Sequence, residues 1–205
     1  MSEIDRRRLL LGGSVVGATA WVAPSILSID RVSAATGSLG SLITASQGVT
    51  ILSPPYPDFT MNNFEDDTTT YVVPEAECTI LPGGIVVNRS TPGIFDGSGP
   101  GTEQTTLPAG TAVCSFYVHA DRDSTGNLSG SLTFTSQIVG VIYKKNEFDD
   151  TTPLLGIPGV TYPNPATAFL ERDDTLTFSA DRLTLSWSLQ INGNFMEAMR
   201  ILVAC

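Results

Sequence analysis

From Gly37 onward, apolar and polar residues alternate with a period of two, and the 3.6-residue rhythm of an amphipathic helix is scarce. The clearest case is LTLSWSLQI, where Leu183, Leu185, Trp187, Leu189 and Ile191 fall on one side and Thr184, Ser186, Ser188 and Gln190 on the other. A period of two belongs to an extended strand, so this segment predicts an antiparallel strand with one face in a core and one in water. Leu132 and Phe134 alternate in the same way with Ser129, Ser131, Thr133 and Thr135, and Cys114, Phe116 and Val118 with Ser115, Tyr117 and His119. Each predicts a strand with one wet face. Further strands are expected over 42–52, 71–73, 77–81, 85–88, 138–144, 175–179 and 199–204. The punctuation between them is SPPYP at 53–57, FDGSGPG at 95–101, GIPGVTYPNP at 156–165 and SADR at 179–182. Only NEFDDTTPLLG (146–156) and ATAFLER (166–172) could make short helices, and the acidic stretch 54–70 predicts an irregular arm or long loop. Many short strands separated by Gly, Pro, Asn and Asp predict an all-β fold, an antiparallel β-sandwich or jelly roll.

The first 35 residues break this pattern. MSEIDRRR is followed by an uncharged stretch from Leu9 to Ile29 and then by DRVSAATG. A basic start, an apolar middle and a small-residue end predict an export signal, helical in the precursor. Arg6, Arg7 and Arg8 followed by Leu9 and Leu10 resemble the twin-arginine consensus, and Gly12, Gly13, Gly17 and Thr19 keep the apolar stretch only mildly hydrophobic. Asp5 stands where Ser or Thr is usual in such signals. Cleavage is expected after Ala34 or Ala35, with Val32 or Ser33 three back from the cut. The alternative is an uncleaved membrane anchor, since about 20 apolar residues suffice to cross a bilayer. Pro24 and the glycines argue against a durable membrane helix. Either way, residues 36–205 form one domain destined for the outside of the cytoplasm, with the twin-arginine export machinery as its first partner.

Charge sharpens the function classes. Removing residues 1–35 takes four of 11 basic and three of 21 acidic residues, leaving 7 and 18, a net of −11. A field of that sign repels phosphate backbones and anionic lipid, which argues against nucleic acid and against a membrane surface after cleavage. Cys78, Cys114 and Cys205 are the only cysteines, so in an oxidising compartment two pair and one is left over. Cys114 shares a face with Phe116 and Val118 and should point into the core; Cys205 follows Ile201 and Val203 on another strand. Cys78 with Cys114 is the favoured pair, and Cys205 stays a candidate. The final LVAC resembles a lipid-attachment box in the wrong place, and LPAGT at 107–111 resembles a sortase signal with Gly and Thr in the wrong order and no apolar tail after it. Both are chance matches.

The succession LPAGTAVCSFYVHAD, LSGSLTFTSQIVGVIY, LLGIPGVTYPNP and LERDDTLTFS resembles a family of uncharacterised secreted bacterial proteins. The resemblance spans roughly residues 105–204. It implies an exported β-sandwich domain without an assigned activity. The three cysteines and the lack of a C-terminal sorting signal depart from that family's pattern, which implies disulfide reinforcement and release rather than wall attachment.

Candidate sites are few. His119 is the only histidine, and Asp121 lies two residues on along the same strand face. A hydrolase triad there would need a Ser or Cys, and no Gly-x-Ser-x-Gly elbow appears. Catalytic zinc usually takes at least two nitrogen or sulfur ligands close in sequence, which His119 lacks. Asp121, Asp123, Thr125, Gly126 and Asn127 imitate the start of a calcium loop, but its twelfth position, which needs a bidentate Glu, is Leu132. A strand–turn–strand hairpin explains the same residues, while another calcium geometry using Asp121 and Asp123 at a sheet edge stays open. Acidic groups at Glu65–Asp66–Asp67, Asp149–Asp150 and Asp173–Asp174 could supply a carboxylate pair for hydrolysis, or be solvated loop acids. Tyr56, Tyr71, Tyr143, Tyr162 and Phe169 could stack on sugar, or simply pack. The expected function is therefore a secreted structural or binding module rather than an enzyme. A carbohydrate-binding or calcium-stabilised adhesion domain with a cell-surface or glycan ligand is the alternative, a carboxylate hydrolase the third reading, and calcium the only ion implied.

Overall fold

A computed structural model describes residues 39–95, 104–163, 170, 173–192 and 195–205. The signal residues Arg6, Arg7 and Arg8 and the expected cleavage at Ala34 or Ala35 lie outside the described residues, as does nearly all of the expected helix at 166–172. The chain divides between Val32 and Ser33 into two units, and all the described residues belong to the second.

Among the described residues the fold is mostly β, with one short α-helix. One five-stranded sheet runs in the order β1 (Ile43–Ala45), β8 (Gly126–Phe134), β11 (Thr184–Ile191), β10 (Thr175–Phe178), β5 (Gly93–Phe95). A second runs β2 (Val49–Ile51), β3 (Thr70–Ile80), β7 (Ala112–Asp121), β12 (Met196–Ala204), β9 (Ile138–Ile142). A small ladder joins β4 (Ile85–Val87) to β6 (Thr105–Leu107). All pairings are antiparallel except β2 with β3. The side chains that alternate inward from both large sheets meet in one core, where Phe116, Val118, Met199, Ile201 and Val203 of the second sheet pack with Leu132, Phe134, Leu185, Trp187 and Leu189 of the first.

On β11 the burial alternates strictly, as its sequence predicts. β7 and β12 do not alternate, because the second sheet is covered on both faces. Behind it lies a further core of Phe59, Val73, Tyr117, Ile142, Phe148, Ala198 and Leu202. The helix α1 (Lys145–Leu155) contributes Phe148, Thr151 and Leu155 from one face, at the i, i+3, i+7 spacing of a helical stripe. The segment before β3 acts as a cover: Phe59 is fully buried and its N–H donates to Thr161 O at 2.8 Å. The expected wet face of β7 is thus corrected. Ser115, Tyr117 and His119 are all fully buried under α1 and the arm.

Three expected strands also change. The stretch 42–52 is two strands, β1 and β2, in different sheets, parted by a turn in which Gly48 has φ +78°. Conversely, 71–73 and 77–81 fuse into the single strand β3 through Pro74. Proline cannot donate to a ladder and is tolerated where a strand has a free side. The β2 pairing stops at Val72, and β3 beyond it has β7 on one side only. Register shifts on either side of Ala76 then bend β3 along β7.

Candidate functional site

The outward face of β7 carries the residues that the sequence singled out. His119 is held at both ring nitrogens, with Tyr117 Oη 3.2 Å from Nδ1 and Phe64 O 3.1 Å from Nε2. A carbonyl can only accept, so Nε2 carries the proton and Nδ1 accepts from the Tyr117 hydroxyl. Burial lowers the His119 pKa to about 4, against a smaller upward pull from the Phe64 carbonyl, so the ring is neutral at physiological pH. Asp121 does not orient it: its Oδ2 accepts instead from the Asn62 N–H at 3.0 Å. His119 is therefore a packed, hydrogen-bonded core residue among Phe59, Phe64 and Tyr117.

Beside it lies a polar cluster that the strand pattern does not single out. Arg200 of β12 reaches across β7 to Glu75 of β3, with Nε 2.7 Å from Oε2 and Nη2 2.8 Å from Oε1. Ser115, on the strand between them, donates to Glu75 Oε2 at 2.6 Å. The other guanidinium nitrogen donates to Thr151 Oγ1 at 2.7 Å and Phe148 O at 3.2 Å, which ties α1 to the sheet. The guanidinium also sits 4.2 Å from the centroid of the Phe148 ring. Both charged side chains are fully buried, yet their hydrogen-bonding capacity is met by this ring of partners. The one signal in the sequence is that Arg200 interrupts the apolar run AMRILVA, where a charge has no place unless it is paired.

The turn from β7 to β8 holds the calcium candidates. Asp121 is buried at the end of β7, whereas Asp123 is exposed in the turn. Burial raises the Asp121 pKa, while N–H groups of Asn62 and Arg122 oppose the rise. The Glu65 carboxyl, from the arm, contacts Asp123 and is pushed up to about 7, mainly by that hydrogen bond, with desolvation and the charges of Asp123, Asp121 and Asp67 adding to it. Arg122 faces the same group, 3.5 Å from Asp67, and Ser124 Oγ donates to the Asp67 carboxylate at 3.0 Å. The turn thus gathers Glu65, Asp67, Asp121 and Asp123 from two segments that the sequence separates by more than 50 residues.

The other acids and rings are spent differently. Asp149 pairs with Lys145 at 2.7 Å, and Asp174 is buried with Oδ1 accepting from the Gln190 N–H at 2.7 Å. Glu147 and Asp150 of α1 line a shallow groove with Gly84, Val86, Gln104 and Asn146. Tyr143 packs 5.0 Å from Phe95 in the inter-sheet core, Tyr71 lies 4.4 Å from Phe64, and Tyr162 lies 5.1 Å from Tyr117, edge on. Tyr56 is packed against the outer core. Phe169 lies outside the described residues.

The cysteine pairing is a correction. Cys78 bonds to Cys205, with their Cα atoms 5.5 Å apart, and not to Cys114. All three sulfurs lie close together, and the two that bond belong to the exposed cysteines. Cys114 points between the sheets, 4% exposed, whereas Cys78 sits with φ +38° in the irregular part of β3 and is exposed, as is Cys205 just past the end of β12. No protein-family model, curated protein or solved structure matches this chain.

Proposed function

We propose that the chain is an exported, extracytoplasmic structural or binding module, a β-sandwich of jelly-roll type carried out by the twin-arginine route. The observation that carries this reading is the use to which the reactive side chains are put. His119, Ser115, Glu75 and Arg200 are all consumed in fastening the arm and α1 to the second sheet. The disulfide suits an oxidising compartment, and no helix among the described residues is long and apolar enough to cross a membrane. The successive steps β7 to β8, β8 to β9 and β11 to β12 each change sheet, the wiring that Greek-key sandwiches use. The resemblance to secreted bacterial β-sandwich proteins points the same way.

Export is tested by fusing residues 1–35 to a reporter that folds before translocation. Replacing Arg6, Arg7 and Arg8 by Lys should hold the reporter in the cytoplasm, and unchanged export by the Lys form would refute the twin-arginine route.

A second reading, a calcium-stabilised adhesion domain, draws on the Glu65–Asp123 contact. A divalent cation placed there would take the place of the proton that Glu65 and Asp123 share and offset the neighbouring carboxylate charges. Binding to the folded state alone must raise the melting temperature, so equal melting with calcium and with a chelator removes this reading. A glycan array addresses the sugar ligand, and replacing the groove acids Glu147 and Asp150 or the turn acids Glu65 and Asp123 addresses hydrolysis.

A further inference from the structure

The sulfurs of Cys78, Cys114 and Cys205 all lie within 4.8 Å of one another. The fold brings them together from three adjacent strands. Cys114 sits on β7, flanked by β3 and β12, and its partner across β12 is Val203, two residues before Cys205. On β3, Cys78 falls in the irregularity between Ala76 and Thr79, and its N–H donates to Cys114 Sγ at 3.4 Å. Cys114 keeps a free thiol, and its Sγ is 3.5 Å from Cys205 Sγ, about van der Waals contact. A buried thiol therefore stands directly behind an exposed disulfide.

That arrangement holds every reactant of a thiol–disulfide exchange. We propose that the three cysteines form an internal exchange site that moves the free thiol from buried Cys114 to exposed Cys78, where the protein takes up a disulfide-bearing molecule as a mixed disulfide. Cys114 first gives its proton to solvent. Its thiolate attacks Cys205 Sγ, the Cys114–Cys205 bond forms, and the Cys78–Cys205 bond breaks with its electron pair leaving on Cys78. One disulfide and one thiol exist before and after, so no oxidant is required. Cys78 thiolate then attacks an external disulfide R–S–S–R, giving Cys78–S–S–R and RS⁻. Cys205 lies one residue beyond β12, its N–H donating to Ala112 O at 3.4 Å, and its Sγ is within reach of both other sulfurs. Burial and the nearby Glu77 charge raise the Cys114 thiol pKa, partly offset by the Cys78 N–H, so thiolate supply limits the first step.

The experiment treats the full chain, purified without reductant, with dithiobis(nitrobenzoate), an aromatic disulfide whose leaving thiolate is coloured. One equivalent of thiolate should be released, at a rate that rises about tenfold per pH unit below the Cys114 pKa. Acid quench and peptide mapping should place the adduct on Cys78 and recover a Cys114–Cys205 disulfide. An adduct on Cys114, or no adduct at all after prolonged incubation at pH 9, overturns the proposal. So does the finding of three free thiols in the protein as isolated, which would make the cluster a soft-metal ligand set instead. Cys114→Ser should abolish release while keeping the Cys78–Cys205 bond. If that variant fails to fold, the mapping of the unaltered chain still decides the matter.

Discussion

Arg200 and Glu75 form a two-pronged ion pair at 2.7 and 2.8 Å across an intervening strand, both side chains without solvent exposure. The pair joins β12 to β3 over β7, and through Thr151 it also joins the sheet to α1. A buried ion pair of this kind does not by itself imply stability, since two desolvated charges can cost as much as their attraction returns. What it does imply is that neither charge tolerates losing the other.

Arg200→Met should therefore destabilise the fold by about 3–5 kcal/mol, because Glu75 is left buried without its cation. Combining it with Glu75→Leu should restore most of the loss. Urea unfolding of the two single variants and the double variant makes the cycle, and simple additivity of the single losses would contradict the pairing.

His119 gives a pH dependence with a definite sign. Its pKa is lowered to about 4 in the fold from the ordinary 6.5, so the unfolded chain binds a proton that the folded chain refuses. The stability tied to the neutral ring is complete above pH 6.5 and is lost as pH falls toward 4, by up to about 1.4 kcal/mol per pH unit and about 3 kcal/mol in all. Unfolding curves at pH 7.5, 5.5 and 4.5 for the protein and for His119→Gln isolate this component. An identical slope in both proteins would count against it.

Glu65 works in the opposite sense. Its pKa is raised from 4.5 to about 7, so the folded chain holds the extra proton, and the advantage fades as pH climbs through that window. Asp123→Asn removes the carboxylate whose hydrogen bond, more than its charge, holds Glu65 up, and should raise the melting temperature at pH 8 but not at pH 5. A thermal shift of the same size at both values would show that Glu65 is not held up by Asp123.

Gly130 lies opposite Trp187 on neighbouring strands, and a β-carbon there would meet the Val49 side chain first and come within 2.8 Å of the indole ring. Gly130→Ala should cost about 1–3 kcal/mol through overpacking. Trp187→Leu in the same chain should relieve part of it, which denaturant midpoints would reveal; no relief would mean that the strain arises elsewhere.

The strand content of the chain was legible because a period of two survives wherever one face meets a core and the other meets water. The residues of β11 satisfy this throughout, and so its place and facing could be read directly. Pattern reading failed on β7 and β12, where Ser115, Tyr117, His119 and Arg200 look solvated by type and are buried by position. Their second face is closed by α1 and by an arm more than 40 residues before β7 in the chain, and polarity on such a face means hydrogen-bond pairing rather than water. The acidic turn was visible as Asp121 and Asp123, yet its companions Glu65 and Asp67 came from that same arm. For the cysteines, the core direction of Cys114 was readable from its neighbours, but the bond joins the exposed Cys78 and Cys205, which only the meeting of β3 and β12 beside β7 brings together. Local alternation and turn chemistry are properties of neighbouring residues and so belong to the sequence. Which polar side chains meet, which sulfurs bond and which face is covered depend on contacts between distant segments, and those were decided only when the sheets and their covering arm came together.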